Sequence, residues 1–176
     1  MGECVPGASD LERWFTPWRG EYVTASPDDE VCLLCRLPRS TSDRDALVLA
    51  RGAAVYVLIN RYPYNSGHVM VVPYRHCASL AEMSREERAE LLDWAARCEA
   101  ALRQAYRPEG MNMGLNLGKS AGAGIADHLH LHVLPRWSGD TNFMTALGET
   151  RVIPEDLDAT WRRLRPLLGT EGEPEA

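Results

Sequence analysis

Histidines alternate with apolar side chains over residues 128–133 of the run His128-Leu129-His130-Leu131-His132-Val133-Leu134-Pro135. A strand sends alternate side chains to opposite faces, so this run predicts a strand with three imidazoles on one face and Leu129, Leu131 and Val133 on the other. The apolar face is expected in the core, and the histidine face in a cleft. Further β-branched or apolar runs predict strands over Ala46–Ala50 and Val55–Asn60, a hairpin around Arg51-Gly52, then His68–Pro73 and Met111–Leu117. Ser84 and Glu87 carry the spacing of a capping box. Leu91, Trp94, Ala95, Cys98, Ala101, Leu102 and Ala105 follow at helical spacing, so an amphipathic helix is expected to end before Pro108. Leu157, Trp161, Leu164 and Leu168 predict a last helix over Pro154–Leu168, with proline at its start. The pattern reads as α+β, an antiparallel sheet of about five strands with helices on one face.

Composition adds boundaries. The chain has 176 residues, of which 45% are hydrophobic, enough for one domain with a real core. Residues 1–25 read as an N-terminal extension with an aromatic anchor at Trp14, Phe15 and Trp18. Residues 26–168 read as the main domain, and residues 169–176 as an acidic, disordered tail. A net charge of −6 argues against a nucleic-acid partner. No apolar run is long enough for a membrane span, and Met1–Pro6 lacks a signal peptide's features, so a cytoplasmic protein is expected.

Three features carry chemistry. Three of the chain's five histidines sit in the alternating run. Imidazoles so placed can bind a metal, attack as nucleophiles, move protons or divide these jobs. Cys32 and Cys35 form a Cys-x-x-Cys pair, which can grip zinc, form a redox disulfide or be incidental. A zinc site needs about four ligands. No second such pair exists, so the other two would have to be histidines. Lastly, Gly118-Lys119-Ser120-Ala121-Gly122-Ala123-Gly124 is a small-residue loop just ahead of the histidines. Asn116 precedes it in a strand-like run, where asparagine is disfavoured.

Taken together, these residues resemble the histidine triad (HIT) superfamily. The run from His128 to Leu134 has its His-φ-His-φ-His-φ-φ pattern. Asn60, the Tyr62-Pro63-Tyr64-Asn65-Ser66-Gly67-His68 loop, the Val71–His76 segment and Asn116 are similar to family features in family order. The aromatic anchor and Cys32-x-x-Cys35 look like the bacterial branch that includes diadenosine tetraphosphate phosphorylases.

The resemblance implies a HIT-like nucleotide-binding catalytic domain over residues 26–168. His130 would attack an α-phosphorus and carry a nucleotidyl group, its other nitrogen donating to a backbone carbonyl. His132 would polarise a phosphate oxygen or help the leaving group, His128 would complete the catalytic set, and His68 would contact the substrate. Asn60 would hold ribose hydroxyls, Asn116 would bond phosphate oxygens, and the amides of Gly122, Ala123, Gly124 and Ile125 would cradle the α-phosphate. Cys32, Cys35, His76 and His128 would hold a structural zinc. A homodimer or tetramer is also implied, with adenine nucleotides and orthophosphate as partners.

The implied reaction is phosphorolysis of diadenosine tetraphosphate to ATP and ADP. A hydrolase or phosphoramidase releasing AMP is the alternative within the class, and a non-catalytic nucleotide sensor the alternative outside it. Two departures pull apart. Gly124 and Ile125 stand where hydrolytic members often carry polar residues, which leaves room for a second acceptor. The third histidine, His132, is replaced by glutamine in some transferases and phosphorylases.

Overall fold

A computed structural model describes residues 32–140 and 155–169. The aromatic anchor, the acidic loop before Cys32, Pro154 and the tail beyond Gly169 lie outside them. The elements are α1 (Leu33–Arg36), β1 (Val48–Arg51), β2 (Val55–Ile59), β3 (Val69–Pro73), α2 (Arg85–Tyr106), β4 (Gly110–Leu115), β5 (Leu131–Arg136) and α3 (Leu157–Leu168). The strands form one antiparallel sheet of five in the order β1-β2-β3-β5-β4. This is the expected α+β class, with β4 and β1 as its edges.

The alternation along β5 explains its place. Leu129, Leu131 and Val133 are buried in the core that also holds Leu91, Trp94, Cys98 and Leu102 of α2 and Leu164 and Leu168 of α3. Tyr56, Leu58, Met70 and Val72 point the other way and pack with Leu34. The two long helices thus share one face of the sheet. The expectation of helices on one face needs a correction, because the short α1 covers part of the opposite face. The Tyr56 hydroxyl, inside that second cluster, donates to the Leu34 carbonyl at 2.6 Å and pins the segment there.

Local chemistry sets the boundaries. Ser84 caps α2 by accepting from Glu87 N–H at 3.1 Å, while Glu87 accepts from Ser84 N–H at 2.7 Å. The helix ends at Arg107 in the left-handed region, φ 47°. The expected strand over Ala46–Ala50 begins only at Val48, since Leu47 has φ 58° and its N–H turns back to Arg44. The last helix starts at Leu157 rather than Pro154. Asp156 is its cap, accepting from Ala159 N–H at 2.6 Å. The histidine strand also shifts: β5 begins at Leu131, because Leu129 N–H bonds the Cys77 carbonyl at 2.7 Å in place of a ladder partner. His128 and His130 therefore lie on an extended approach to the strand.

Candidate active site

The approach segment separates the three histidines. They do not share one open cleft as the alternation suggested. His128 is fully buried, and its ring faces the cysteine pair. His130 and His132 stay together, ring centroids 4.9 Å apart. The physical cause is again Leu129, which is held to Cys77 before the ladder begins.

Hydrogen bonds fix the proton on each ring. His130 Nδ1 lies 2.8 Å from the His128 carbonyl. A carbonyl only accepts, so Nδ1 carries the hydrogen and Nε2 keeps its lone pair. Burial pushes the His130 pKa below its ordinary value, partly offset by that carbonyl. A neutral ring with an exposed lone pair is what a nucleophile requires.

His132 has the opposite tautomer. Tyr64 N–H donates to His68 Nδ1 at 3.1 Å, so His68 holds its hydrogen on Nε2. That nitrogen lies 2.9 Å from His132 Nδ1, which must then accept. The hydrogen of His132 is left on Nε2. The relay Tyr64–His68–His132 makes His132 a hydrogen-bond donor rather than a base. The Tyr64 ring covers both, with centroids 4.6 Å from His68 and 5.9 Å from His132.

The side-chain carbonyl of Asn60 is committed to its own loop. Its Oδ1 accepts from Tyr62 N–H at 3.0 Å, and its Nδ2 lies 3.4 Å from His68 Nδ1. In the glycine loop, Gly118 and Gly122 take φ 82° and 87°, which only glycine adopts freely. The N–H of Gly122 bonds Lys119 O at 2.9 Å and that of Ala123 bonds Gly118 O at 3.3 Å. Two of the four expected cradle amides are thus used inside the turn. Those of Gly124 and Ile125 make no such bond among the described residues. Lys119 is exposed. Asn116 lines a shallow cavity of about 190 Å³ with Tyr64, Asn112, Gly114, His132 and Leu134.

Cys32, Cys35, His76 and His128 converge on the far side of His128. Their ligand atoms lie within 4.8 Å of one another. His128 Nδ1 is 3.4 Å from both sulfurs, and His76 Nδ1 is 3.4 Å from Cys35 Sγ. A tetrahedral zinc with ordinary Zn–S and Zn–N lengths would hold sulfur and nitrogen about 3.5 Å apart. His128 Nε2 donates to the Pro73 carbonyl at 2.9 Å, which turns the Nδ1 lone pair toward the cysteines. Burial first, then the neighbouring Cys32, pushes the Cys35 thiol up, an arrangement that a divalent cation would reverse. The four residues fit a metal ion.

Sequence reasoning missed Tyr64, Asn112 and Gly114. A tyrosine within a turn-rich loop carries no periodic signal. Asn112 and Gly114 did carry one, being poor strand formers inside a strand, as Asn116 is.

Comparison with known proteins places this geometry. The HIT domain family model matches residues 41–139. The chain is 42% identical over 174 residues to the AP-4-A phosphorylase of Mycobacterium tuberculosis, covering 92% of this chain and 84% of that one. It is 26% identical over 128 residues to the adenosine 5′-monophosphoramidase hnt1 of Schizosaccharomyces pombe, covering 73% and 91%. Among solved structures, a zinc-bound histidine triad family protein from Mycobacterium smegmatis superposes with TM-score 0.62 at 26% identity, over 78% of this chain and 92% of that one. The matched span contains His68, Asn116, the glycine loop and all three histidines of the run, and on this evidence the chain belongs to the HIT domain family.

Proposed function

We propose that this protein transfers an adenylyl group from diadenosine tetraphosphate to orthophosphate, releasing ATP and then ADP. The observation that carries the mechanism is the bond from His130 Nδ1–H to the His128 carbonyl, which leaves Nε2 as the nucleophile. The similarity to an AP-4-A phosphorylase over most of both chains supports the choice of substrate.

In the first step, His130 Nε2 attacks the α-phosphorus. A P–N bond forms, and the P–O bond to the polyphosphate breaks, its electron pair leaving on ATP. The ring, now cationic, keeps its Nδ1 hydrogen against the His128 carbonyl. In the second step an oxygen of orthophosphate attacks, the P–N bond breaks, and the pair returns to His130 Nε2 as ADP departs. His132 Nε2–H donates to the bridging oxygen in both steps, steadying charge as it develops. An attacking water must lose a proton, and His132, already protonated at Nε2, does not offer itself as the base. Orthophosphate arrives with anionic oxygens and needs none. That difference favours phosphorolysis over hydrolysis.

Asn116 and the amides of Gly124 and Ile125 bond the phosphate oxygens in this reading, and Asn60 holds the ribose. Cys32, Cys35, His76 and His128 hold a structural zinc, which ties the segment around α1 to the approach of β5. The enzyme works as a homodimer or a tetramer of dimers. The open edge at β4, with Met113 exposed, is the natural seam. No helix among the described residues is long and apolar enough to cross a membrane, in keeping with a cytoplasmic enzyme.

The test is product analysis with diadenosine tetraphosphate, with and without orthophosphate. ATP and ADP that form only with phosphate are expected. AMP formed without phosphate would mean that water is the acceptor. Wild-type protein quenched in alkali, where a histidine P–N bond persists, should retain one adenylyl group, and His130→Asn none, while still binding nucleotide. Unchanged turnover in His130→Asn would refute the covalent route, and binding without any turnover in the wild type would make the protein a sensor.

A further inference from the structure

Gly114 is a glycine without a structural reason. Most others among the described residues have a visible reason, Gly110 at the start of β4 being an exception whose added Cβ would meet only Arg136 Cβ at 3.9 Å. A Cβ on Gly52 would meet Glu90 Oε1 at 2.2 Å, and one on Gly67 would meet the Tyr106 ring at 2.9 Å. Gly118, Gly122, Gly139 and Gly169 have positive φ. Gly114 has neither: its φ lies outside the left-handed region, and a Cβ would find no atom within 4 Å. It sits inside β4, where glycine costs about 0.5–1 kcal/mol relative to alanine. A glycine inside a strand often marks the close approach of a ligand or of another backbone.

The register shows which. Gly114 pairs with His132, so a side chain at 114 would stand on the same face as the imidazole. An added strand would approach β4 in the plane of the sheet. The missing side chain instead opens the face, and the cavity of about 190 Å³ lies there. Its other walls supply donors. Asn112 pairs with Leu134 one step along the same face. Its Oδ1 accepts from Arg136 Nη1 at 2.7 Å, and Arg136 is held in turn by Asp140 at 2.6 Å. The carbonyl end of the Asn112 amide is thereby occupied, and its NH2 end is the group left to donate. Asn116 adds a second amide.

We propose that the trough formed by Gly114, Asn112 and Asn116 beside His132 is the seat of the orthophosphate acceptor, and that Gly114 makes this site choose phosphate over water. The inference rests on the adenylyl transfer described above. In that reaction the leaving polyphosphate and the incoming phosphate both lie opposite His130, so one trough serves them in turn. Water surrounds the site at a concentration far above that of phosphate, so a phosphate acceptor succeeds only when it is held in place. A side chain at 114 takes that room, yet a water molecule still reaches the phosphorus.

The experiment uses adenosine 5′-phosphoramidate as donor, because its leaving group is small and makes little demand on the trough. The readout is the ratio of ADP to AMP formed at a fixed concentration of orthophosphate. Gly114→Val is expected to lower this ratio at least tenfold, with Gly114→Ala between it and the wild type. A ratio within twofold of the wild type in both variants would overturn the proposal. So would an unchanged ratio with an altered oligomeric state on size exclusion, which would assign Gly114 to a strand contact. If the wild type makes no ADP at any phosphate concentration, phosphorolysis itself fails and the trough with it, an outcome separate from the variant result.

Discussion

His68 Nε2 and His132 Nδ1 lie 2.9 Å apart in the buried interior of the site, and the hydrogen between them belongs to His68. His132 is thereby held in a single tautomer, with its own hydrogen on Nε2. His68→Leu removes the donor and frees His132 to put its hydrogen on either nitrogen. The expected result is a fall in kcat of about 100-fold with a smaller change in KM. His68→Gln can still donate from its side-chain amide and should recover part of the loss. Nitrogen chemical shifts of His132 check the cause directly. They should report an unprotonated Nδ1 in the wild type and a mixture in His68→Leu.

Gly52 marks a purely structural contact at the β1–β2 turn. Glu90 of α2 accepts from Ala54 N–H at 2.9 Å and so caps the hairpin from the helix. A Cβ on Gly52 would meet Glu90 Oε1 at 2.2 Å and Trp94 Nε1 at 2.4 Å. Gly52→Ala forces both side chains away and should destabilise the fold by about 1–3 kcal/mol. Chemical denaturation measures it, with the slope unchanged if only stability is affected. A variant as stable as the wild type would show that the contact gives way freely.

Much of this architecture is legible in the sequence, because periodicity and capping are local. The capping box at Ser84, the burial of Cys98 and the apolar side of the histidine run follow from spacing alone. What spacing could not show depends on contacts distant in the chain. His128 leaves the cleft because Cys77 holds Leu129 and Pro73 holds the His128 ring. The tautomer of His132 depends on a backbone N–H at Tyr64. The cradle lost the amides of Gly122 and Ala123 to a turn that strand and helix patterns do not encode. Periodicity reports which face a residue occupies, and it is silent on which partner waits there.

Asp140 links acid stability to the loop that carries Tyr64. Its carboxylate takes two bonds from Arg136, at 2.6 and 2.9 Å, and others from Asn65 and Trp137 N–H. These hold its pKa well below the usual carboxylate range, Arg136 contributing most. A depressed folded pKa stabilises the fold at every pH above the unfolded value of about 3.9, and the gain is lost as pH falls through the folded value. Asp140→Asn should therefore cost about 1–2 kcal/mol at neutral pH, modest because Arg136 is solvent-exposed. The difference in Tm between wild type and variant should shrink as pH drops from 5 toward 2. A difference that stays constant over that range would mean that the carboxylate charge contributes nothing.

His128 joins the metal-ligand cluster to the nucleophile. Its Nδ1 faces Cys32 and Cys35, while its carbonyl accepts from His130 Nδ1. Whatever fixes the ring also fixes the carbonyl, and the carbonyl aims the attacking nitrogen. Metal analysis of the purified protein should find about one zinc per chain. Cys35→Ser removes the ligand that lies 3.4 Å from both His76 and His128 Nδ1. It should lower zinc content, lower Tm, and reduce kcat about tenfold, with KM changing less, because His130 is misaimed rather than removed. His76→Ala tests the same link from the exposed rim of the cluster. It should lose metal and Tm together, with a smaller fall in kcat, since His128 retains both sulfur neighbours. If Cys35→Ser lost its zinc and its Tm but kept full kcat, the cluster would be a staple for the fold alone. His130 would then be held by Pro73 and the β5 backbone without help from the metal.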